Sequence, residues 1–211
     1  MSIGAIRGNI VYAYWGTYPN FGDQLTPLLL RHYGYTPVYS HYKPIFKHVR
    51  KADFVSVGTL LGNTPEDFSG VILGTGMDDY QKTFKYATIV GVRGYLTKKN
   101  MLISDNILVG DPGLLVSYMY PKELPKKWDL GVVPHFVDKK DDIIEIWKKR
   151  FGSRVKIIDV QRKPGAVIKD IKRCRNIISS SLHGLIVADA FGIPNIMFVI
   201  RRNIPKYGDH K

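Results

Sequence analysis

The sequence has little cysteine, few acidic side chains and no long apolar run. Cys174 is the only cysteine, so the chain cannot form an internal disulfide or assemble a cysteine-based metal site. No segment approaches the roughly 20 apolar residues that a membrane span needs, and the start lacks an apolar signal-peptide core. With 211 residues, 45% of them hydrophobic, the chain is expected to be a cytoplasmic globular protein that holds no metal.

The scarcity of acidic residues leaves a strongly basic chain. Lys and Arg number 31 against 18 Asp and Glu, which gives a formal net charge of +13. A positive charge of this size indicates an anionic partner. The charge alone does not distinguish nucleic acid, a membrane surface and a phosphorylated small molecule. No zinc-finger spacing, RNP-like aromatic motif or basic tail is present, so nucleic-acid binding is not expected.

Short β-branched runs alternate with segments of helical period along the whole chain. This alternation predicts an α/β fold with parallel sheets covered by helices. The Pro- and Lys-rich stretch "YPKELPKKW" is the best candidate for a connection between two domains. We therefore predict an N-terminal domain over residues 1–121, a linker at 122–127 and a short C-terminal domain over residues 128–211.

Unusual polar residues and glycines follow nearly every predicted strand. Ligands of open parallel sheets bind beyond the carboxyl ends of the strands, so these residues are candidates for ligand contact. In chain order they are Asn20, Asp23, Gly76, Arg93, Asp111, His135, Ser180, Ser181, Leu182 and His183. Arg93 stands out because an arginine flanked by glycines at a strand end suits two-pronged contact with carboxylate or phosphate.

The stretch "SSSLHG" predicts a helix that starts close to His183. Backbone N–H groups at a helix start favour an anion, which makes Ser180, Ser181 and Leu182 candidates for anion contact. A histidine in the first turn is disfavoured there when charged, which favours a functional role over a structural one. The alternative is a half-buried histidine that bonds to a neighbouring carbonyl.

Three aspartates also have ordinary structural interpretations. Asp23 is placed to cap a helix over Gln24–Tyr33 that ends at Gly34. Asp111 opens the turn sequence Asp-Pro-Gly, and the turn is the favoured interpretation there. Asp78 and Asp79 resemble a metal-binding pair, although an exposed acidic turn explains them more simply.

Several stretches together resemble the polysaccharide pyruvyl transferase family, in order and spacing from the first strand to about Phe198. They are "YPNFGDQLTP", "VSVGTLLG", "VILGTGM", "VGVRGYLTKK", "LVGDPGLL", "GVVPHFVD" and "IISSSLHGLIVADAFGIPNI". The resemblance implies two Rossmann-like domains that face a cleft, as in GT-B glycosyltransferases. It also implies transfer of a pyruvyl group from phosphoenolpyruvate to a sugar diol, as a ketal, in cell-surface polysaccharide biosynthesis.

The same resemblance implies roles for particular residues. Asp23 belongs to the family's Gly-Asp signature, and His183 is the expected acid or base. Arg93 and the helix start at Ser180 to His183 are expected to hold the carboxylate and phosphate of the donor. No cofactor is expected, and the sugar acceptor can be lipid-linked at the inner face of the membrane.

The sequence departs from the family pattern in two ways. Many members have an arginine two positions before the motif histidine, where this chain has Ser181. Either one cation for the donor is missing, or Arg201 or Arg202 supplies it. The sequence also ends soon after the last predicted strand, whereas relatives usually continue into a segment that closes the fold.

Two other functions are compatible with the residues. A glycosyltransferase that uses a nucleotide sugar would share the architecture, although no clear acidic ligand for a ribose is present in the second half. A sugar-binding or assembly protein without catalytic activity would fit the short C-terminal part. Binding of phosphoenolpyruvate, of nucleotide sugars or of sugars without turnover separates these possibilities.

Overall fold

The chain folds into two compact units, each built on a parallel β-sheet. The computed structural model describes residues 9–43, 50–104 and 106–199. One unit comprises Asp23–Pro112 and the described residues before Thr17, and the other comprises Thr17–Gly22 and the described residues from Gly113 onward. The predicted α/β class with parallel sheets is confirmed. The predicted domain limits, with a linker at 122–127, stay a prediction.

The first unit contains a six-stranded sheet in the order β2-β1-β3-β4-β5-β6, with all neighbours parallel. Its strands are β1 Ile10–Tyr14, β2 Thr36–Tyr39, β3 Phe54–Val55, β4 Val71–Thr75, β5 Thr88–Val92 and β6 Leu108–Val109, and its helices are α1 Leu25–His32 and α2 Tyr95–Asn100. The sequence did not predict β2. This edge strand contains Pro37 and is largely exposed, so it lacks the apolar run that marks the others.

Helix α1 shows where the prediction for Asp23 was wrong. The N-cap is Gln24 rather than Asp23, and the side chain of Gln24 makes no capping hydrogen bond. The predicted C-terminal glycine is confirmed, because Gly34 adopts a φ of +86° just beyond the helix. The amide of Tyr35 donates to the carbonyl of Leu30 at 2.9 Å and that of Gly34 to Arg31 at 3.2 Å, which is the Schellman arrangement.

The second unit contains a four-stranded parallel sheet in the order β10-β9-β7-β8. Its strands are β7 Trp128–Val133, β8 Val155–Ile157, β9 Cys174–Ser179 and β10 Asn195–Met197, and its helices are α3 Val116–Met119, α4 Asp142–Phe151, α5 Pro164–Lys172 and α6 Leu182–Ala190. The start of α6 confirms the helix predicted after "SSS". Helix α3 and the 3-10 turn Pro112–Leu115 were not predicted, since both are too short to show a helical period.

Each unit has its own buried side chains. In the first, Val55, Ile72 and Val92 of the central strands pack in a cluster with Leu61 and Met77. In the second, fully buried side chains come from β7, β9 and the helices, and they include Val132, Ile168 and Ile177. Within the ranges given above, no helix combines the length and apolar character needed to cross a bilayer.

Candidate functional site

The predicted site residues divide between the two units. Asp23, Gly76, Arg93 and Asp111 lie in the first unit, and Asn20, His135, Ser180, Ser181, Leu182 and His183 lie in the second. Arg201 lies outside the described residues. The structure therefore gathers the candidates in two groups, and all of them except Asn20 lie at or near strand ends of their own unit's sheet.

Arg93 is the centre of the first group. It follows β5 directly, and only 7% of its surface is exposed. Its guanidinium lies against the backbone of Gly76, where an added Cβ would come within 2.2 Å of both Cζ and Nη2. Nη1 donates to the hydroxyl of Thr59 at 2.8 Å. We call Thr59, Gly76 and Arg93 the Arg93 site, and it explains why residue 76 is a glycine.

The backbone beneath the Arg93 site is fixed by hydrogen bonds between the ends of β3 and β4. The carbonyl of Gly58 accepts from the amide of Gly76 and from the hydroxyl of Thr75, each at 2.8 Å. The same Thr75 hydroxyl accepts from the amide of Leu60 at 3.3 Å. Thr59 was not predicted as a site residue, although the repeated Gly-Thr pairs in "GTLLG" and "GTGMDD" were the available signal.

A carboxylate accompanies the Arg93 guanidinium. Burial raises the pKa of Asp78, the charge of Arg93 opposes that rise and Asp79 adds to it. Nowhere in the described ranges do three His, Cys, Asp or Glu side chains gather as they would around a metal ion. Asp78 therefore belongs to the electrostatic surroundings of Arg93, and the metal-pair interpretation finds no third ligand of these types.

Asp23 lies against the backbone of Gly16, just beyond the carboxyl end of β1. A Cβ added at Gly16 would come within 2.7 Å of the Asp23 carboxylate carbon and of Oδ2. The side chain of Gln24 holds this turn, because its Nε2 donates to the carbonyl of Gly16 at 3.1 Å. Asp23 is half-buried, and it lies at the edge where ligands of parallel sheets bind.

Asp111 occupies the corresponding end of β6. It is 6% exposed, and the 3-10 turn Pro112–Leu115 begins immediately after it. The amide of Gly110 donates to the carbonyl of Val92 at 2.9 Å, which ties this strand end to that of Arg93. The turn predicted at Asp-Pro-Gly is present, and the carboxylate is buried within it.

His183 is the centre of the second group. It is the second residue of α6 and is 7% exposed. Its imidazole lies on the backbone of Gly22, where an added Cβ would come within 2.2 Å of Nδ1. The ring of Phe21 meets the imidazole nearly edge-on, with centroids 6.4 Å apart.

Hydrogen bonds hold the segment Thr17–Gly22 so that Gly22 contacts His183. The amide of Phe21 donates to the carbonyl of Val160 at 2.8 Å, and its side chain is fully buried. The side-chain oxygen of Asn20 accepts from the amide of Gly22 at 3.3 Å. Contact of Asn20 with substrate stays a prediction, and in the structure its side chain holds the turn that places Gly22 against His183.

Ser180 links His135 to a buried carboxylate that the sequence did not single out. Its hydroxyl accepts from the amide of His135 at 2.9 Å and donates to Oδ2 of Asp138 at 2.8 Å. Asp138 is fully buried, and its amide donates to the carbonyl of His135 at 2.8 Å. We call His135, Asp138, Ser180 and His183 the histidine cluster. The motif "PHFVD" contained the only signal for Asp138, which is an acid three residues after a strand-end histidine.

His135 is affected electrostatically by its neighbours in this cluster. Burial lowers the pKa of His135, the charge of Asp138 opposes that effect, and His183 lowers the pKa further. The cluster thus places two imidazoles and a buried carboxylate, side chains of the kind used in acid–base catalysis, near the ends of β7 and β9.

The start of α6 is built from tightly bonded serines. Ser181 is the N-cap and is 3% exposed, but its side chain makes no capping hydrogen bond. Its amide donates to the hydroxyl of Ser179 at 3.0 Å, and that hydroxyl is 2.9 Å from the carbonyl of Val133. These bonds fix the helix start, including half-buried Leu182, relative to the end of β7.

The sequence is similar to those of curated proteins. The chain is 33% identical over 149 residues to an uncharacterized protein of Acanthamoeba polyphaga mimivirus, an alignment that covers 67% of this chain and 51% of the relative. It is 27% identical over 198 residues to the succinoglycan biosynthesis protein ExoV of Rhizobium meliloti strain 1021, covering 86% of this chain and 57% of that protein. The chain thus spans about half the length of these curated relatives.

Comparison with protein families and with solved structures gives the wider context of these similarities. No solved structure gives a significant match to the chain. The sequence profile of the polysaccharide pyruvyl transferase family matches residues 20–201, which include every candidate residue of both groups. The chain belongs to the polysaccharide pyruvyl transferase family.

Proposed function

We propose that this protein transfers a pyruvyl group from phosphoenolpyruvate to two hydroxyls of a sugar during polysaccharide biosynthesis. The observation that carries the proposal is the Arg93 site, a buried guanidinium seated on Gly76 at the ligand-binding edge of a parallel sheet. A guanidinium held in this way suits the carboxylate and phosphate of such a donor. Membership of the family supports the same choice of reaction.

The reaction requires an acid, a base and cations. A proton adds to the methylene carbon of phosphoenolpyruvate, and the adjacent carbon becomes an oxocarbenium-like centre. One sugar hydroxyl attacks that carbon and loses its proton, and phosphate then leaves with the electrons of its C–O bond. The second hydroxyl attacks the same carbon and loses its proton, which closes the ketal. The overall products are the pyruvylated sugar and inorganic phosphate.

We assign the proton chemistry to His183 and Asp23. Because an imidazole can give or take a proton near neutral pH, His183 is the proposed acid toward the methylene carbon. Asp23 is the proposed acceptor of a hydroxyl proton, or the charge that stabilises the cationic carbon. It lies against the backbone of Gly16 beyond the end of β1, at the edge where ligands of parallel sheets bind.

Donor binding is assigned to Arg93 and to the start of α6, where Ser181 and Leu182 lie. In this proposal Ser180 acts mainly through its bonds to His135 and Asp138, because its hydroxyl is already engaged on both sides. Contributions from Gly76, Asn20, Asp111 and Arg201 to substrate binding stay predictions. So do the GT-B-like arrangement, the cytoplasmic location, the absence of a cofactor and a lipid-linked acceptor, all of which derive from the sequence and the resemblance.

A thermal-shift titration tests the proposal directly. Phosphoenolpyruvate is compared with UDP-glucose and GDP-mannose, since a ligand at 100 times its Kd raises the free energy of unfolding by about 2.7 kcal/mol. We expect stabilisation by phosphoenolpyruvate, with phosphate released only when an acceptor sugar is added. Arg93→Lys is the matched variant, because it keeps the charge and loses the planar fork. Stabilisation by a nucleotide sugar, with no response to millimolar phosphoenolpyruvate, would contradict the proposal.

A further inference from the structure

A cluster of aromatic rings lies at the carboxyl ends of β1 and β2. Tyr14 ends β1, Trp15 follows it, Tyr39 ends β2 and His41 comes two residues later. The rings of Trp15 and Tyr39 meet nearly at right angles with centroids 5.1 Å apart, and those of Tyr14 and His41 do so at 5.3 Å. We call Tyr14, Trp15, Tyr39 and His41 the aromatic platform.

The platform rests on the core of the first unit. The ring of Tyr14 packs on that of Tyr42 at 4.5 Å, and Tyr42 is 4% exposed. Tyr42 in turn shares a 2.8 Å hydrogen bond with Thr64 and meets the ring of Phe68 at 5.4 Å. Because Tyr42 is fixed from several sides, it gives the ring of Tyr14 a firm packing partner in the core.

Two of the four platform residues are open to solvent. Tyr39 is 42% exposed and His41 is exposed, whereas Trp15 is half-buried. Cross-strand aromatic pairs also stabilise a sheet edge, so packing alone explains part of the arrangement. Packing does not explain why the rings collect at the carboxyl end of the sheet, where ligands bind.

The platform is continuous with the proposed catalytic carboxylate. Trp15 directly precedes Gly16, whose backbone lies against the Asp23 carboxylate. The charge of Asp23 also contributes to a raised pKa of the Tyr14 hydroxyl, after burial and Tyr39. A ligand on the platform would therefore lie within reach of Asp23.

We propose that the aromatic platform binds one sugar ring of the acceptor by stacking. That ring neighbours the sugar residue that receives the pyruvyl group. The face of an aromatic ring is electron-rich and attracts the polarised C–H bonds on one face of a pyranose, while the rim of hydroxyls stays free for hydrogen bonds. An aromatic surface beside a carboxylate matches such a ligand, which is apolar on its face and polar at its edge. This inference rests on the proposed function, because it identifies the occupant as the acceptor.

The test uses the full chain and two uncharged probes, cellotetraose and β-1,4-galactotetraose. Binding is measured by calorimetry and by tryptophan fluorescence in the wild type, Trp15→Phe, Tyr39→Ala and Tyr86→Ala. Tyr86 is the matched control, since it is a tyrosine of the same unit that is 68% exposed and outside the platform. Phosphoenolpyruvate binding is measured in parallel for every variant.

We expect at least one tetrasaccharide to bind and to change the fluorescence of the wild type but not of Trp15→Phe. Tyr39→Ala should weaken that binding about fivefold to tenfold, while Tyr86→Ala should not change it. The proposal is overturned if neither tetrasaccharide binds at millimolar concentration, or if Tyr39→Ala binds as well as Tyr86→Ala. Sugar binding that depends on Tyr39, without any binding of phosphoenolpyruvate, would retain the platform and refute the proposed reaction. Binding of phosphoenolpyruvate, together with unaltered sugar affinity in Tyr39→Ala, would refute the platform and retain the proposed reaction.

Discussion

Gly76→Ala offers a sharp test of the Arg93 site, because it changes no charged or polar group. The new methyl carbon would lie 2.2 Å from the guanidinium carbon, whereas ordinary contact between such atoms is about 3.5 Å. The guanidinium must therefore move by roughly 1.3 Å, the difference between these two distances. Its 2.8 Å bond to Thr59 would not survive a displacement of that size.

Two losses should follow from this displacement. A hydrogen bond to a charged group is worth about 1.5–3 kcal/mol, so the free energy of unfolding should fall by about that amount. A misplacement of about 1 Å in a binding group can cost about 10²-fold in rate, so kcat/KM for phosphoenolpyruvate should fall to a similar degree. Arg93→Lys should weaken donor binding by about 1–3 kcal/mol for the related reason that it loses the planar fork.

The assay combines urea unfolding with donor titration and steady-state phosphate release. Gly110→Ala is the matched control, because a Cβ there meets nothing within 4 Å, and it should behave as the wild type. The double variant Gly76→Ala, Arg93→Lys should be little worse than the poorer single variant if both changes act through the guanidinium. Wild-type donor affinity and stability in Gly76→Ala would refute the reasoning.

Three further predictions concern Asp23 and the two histidines. Asp23→Asn should lower transfer about 10²-fold with little change in the urea midpoint, because Asn has the same shape and serves a helix start as well as Asp does. Full activity would remove Asp23 from catalysis. His183→Gln should bind phosphoenolpyruvate in calorimetry yet lose most turnover, and loss of donor binding at an unchanged maximal rate would make His183 a binding residue instead. Because burial lowers the pKa of His135, the unfolded chain binds more protons there, so stability should fall as the pH drops below 6.5 toward the lowered pKa. His135→Gln should flatten that part of the pH–stability curve, and an unchanged curve would contradict this.

Much of the fold follows from local patterns in the sequence. The apolar runs around Ile72, Val92 and Ile177 predicted their strands because buried parallel strands read as continuous apolar stretches. The helix after "SSS" was predicted because serines favour helix starts. Edge strand β2 gave no such signal, since its exposed side chains and Pro37 are compatible with a loop.

The candidate site was predictable only where a residue type itself reveals chemistry. Arg93 and His183 were found because an arginine between glycines and a histidine at a helix start are unusual choices. Asp138 and Thr59 were missed because their roles depend on partners that are distant in sequence. Asp138 bonds to Ser180, 42 residues away, and Thr59 to Arg93, 34 residues away. The capping interpretation of Asp23 was wrong because the turn over residues 21–24 places the N-cap one residue later, at Gln24, and the helix begins at Leu25.

The assignment of Thr17–Gly22 to the second unit has a consequence for synthesis of the chain. Phe21 and Gly22 leave the ribosome early, but Val160 and His183, which contact them, follow about 140 and 160 residues later. At 5–20 residues per second this interval lasts roughly 7 to 32 s. During that time the strand and helix on either side of the segment can fold, while Phe21 waits without the partners that bury it. A fragment that begins at Gly113 would lack this segment permanently, so the second unit cannot be produced intact by cutting the chain at one point.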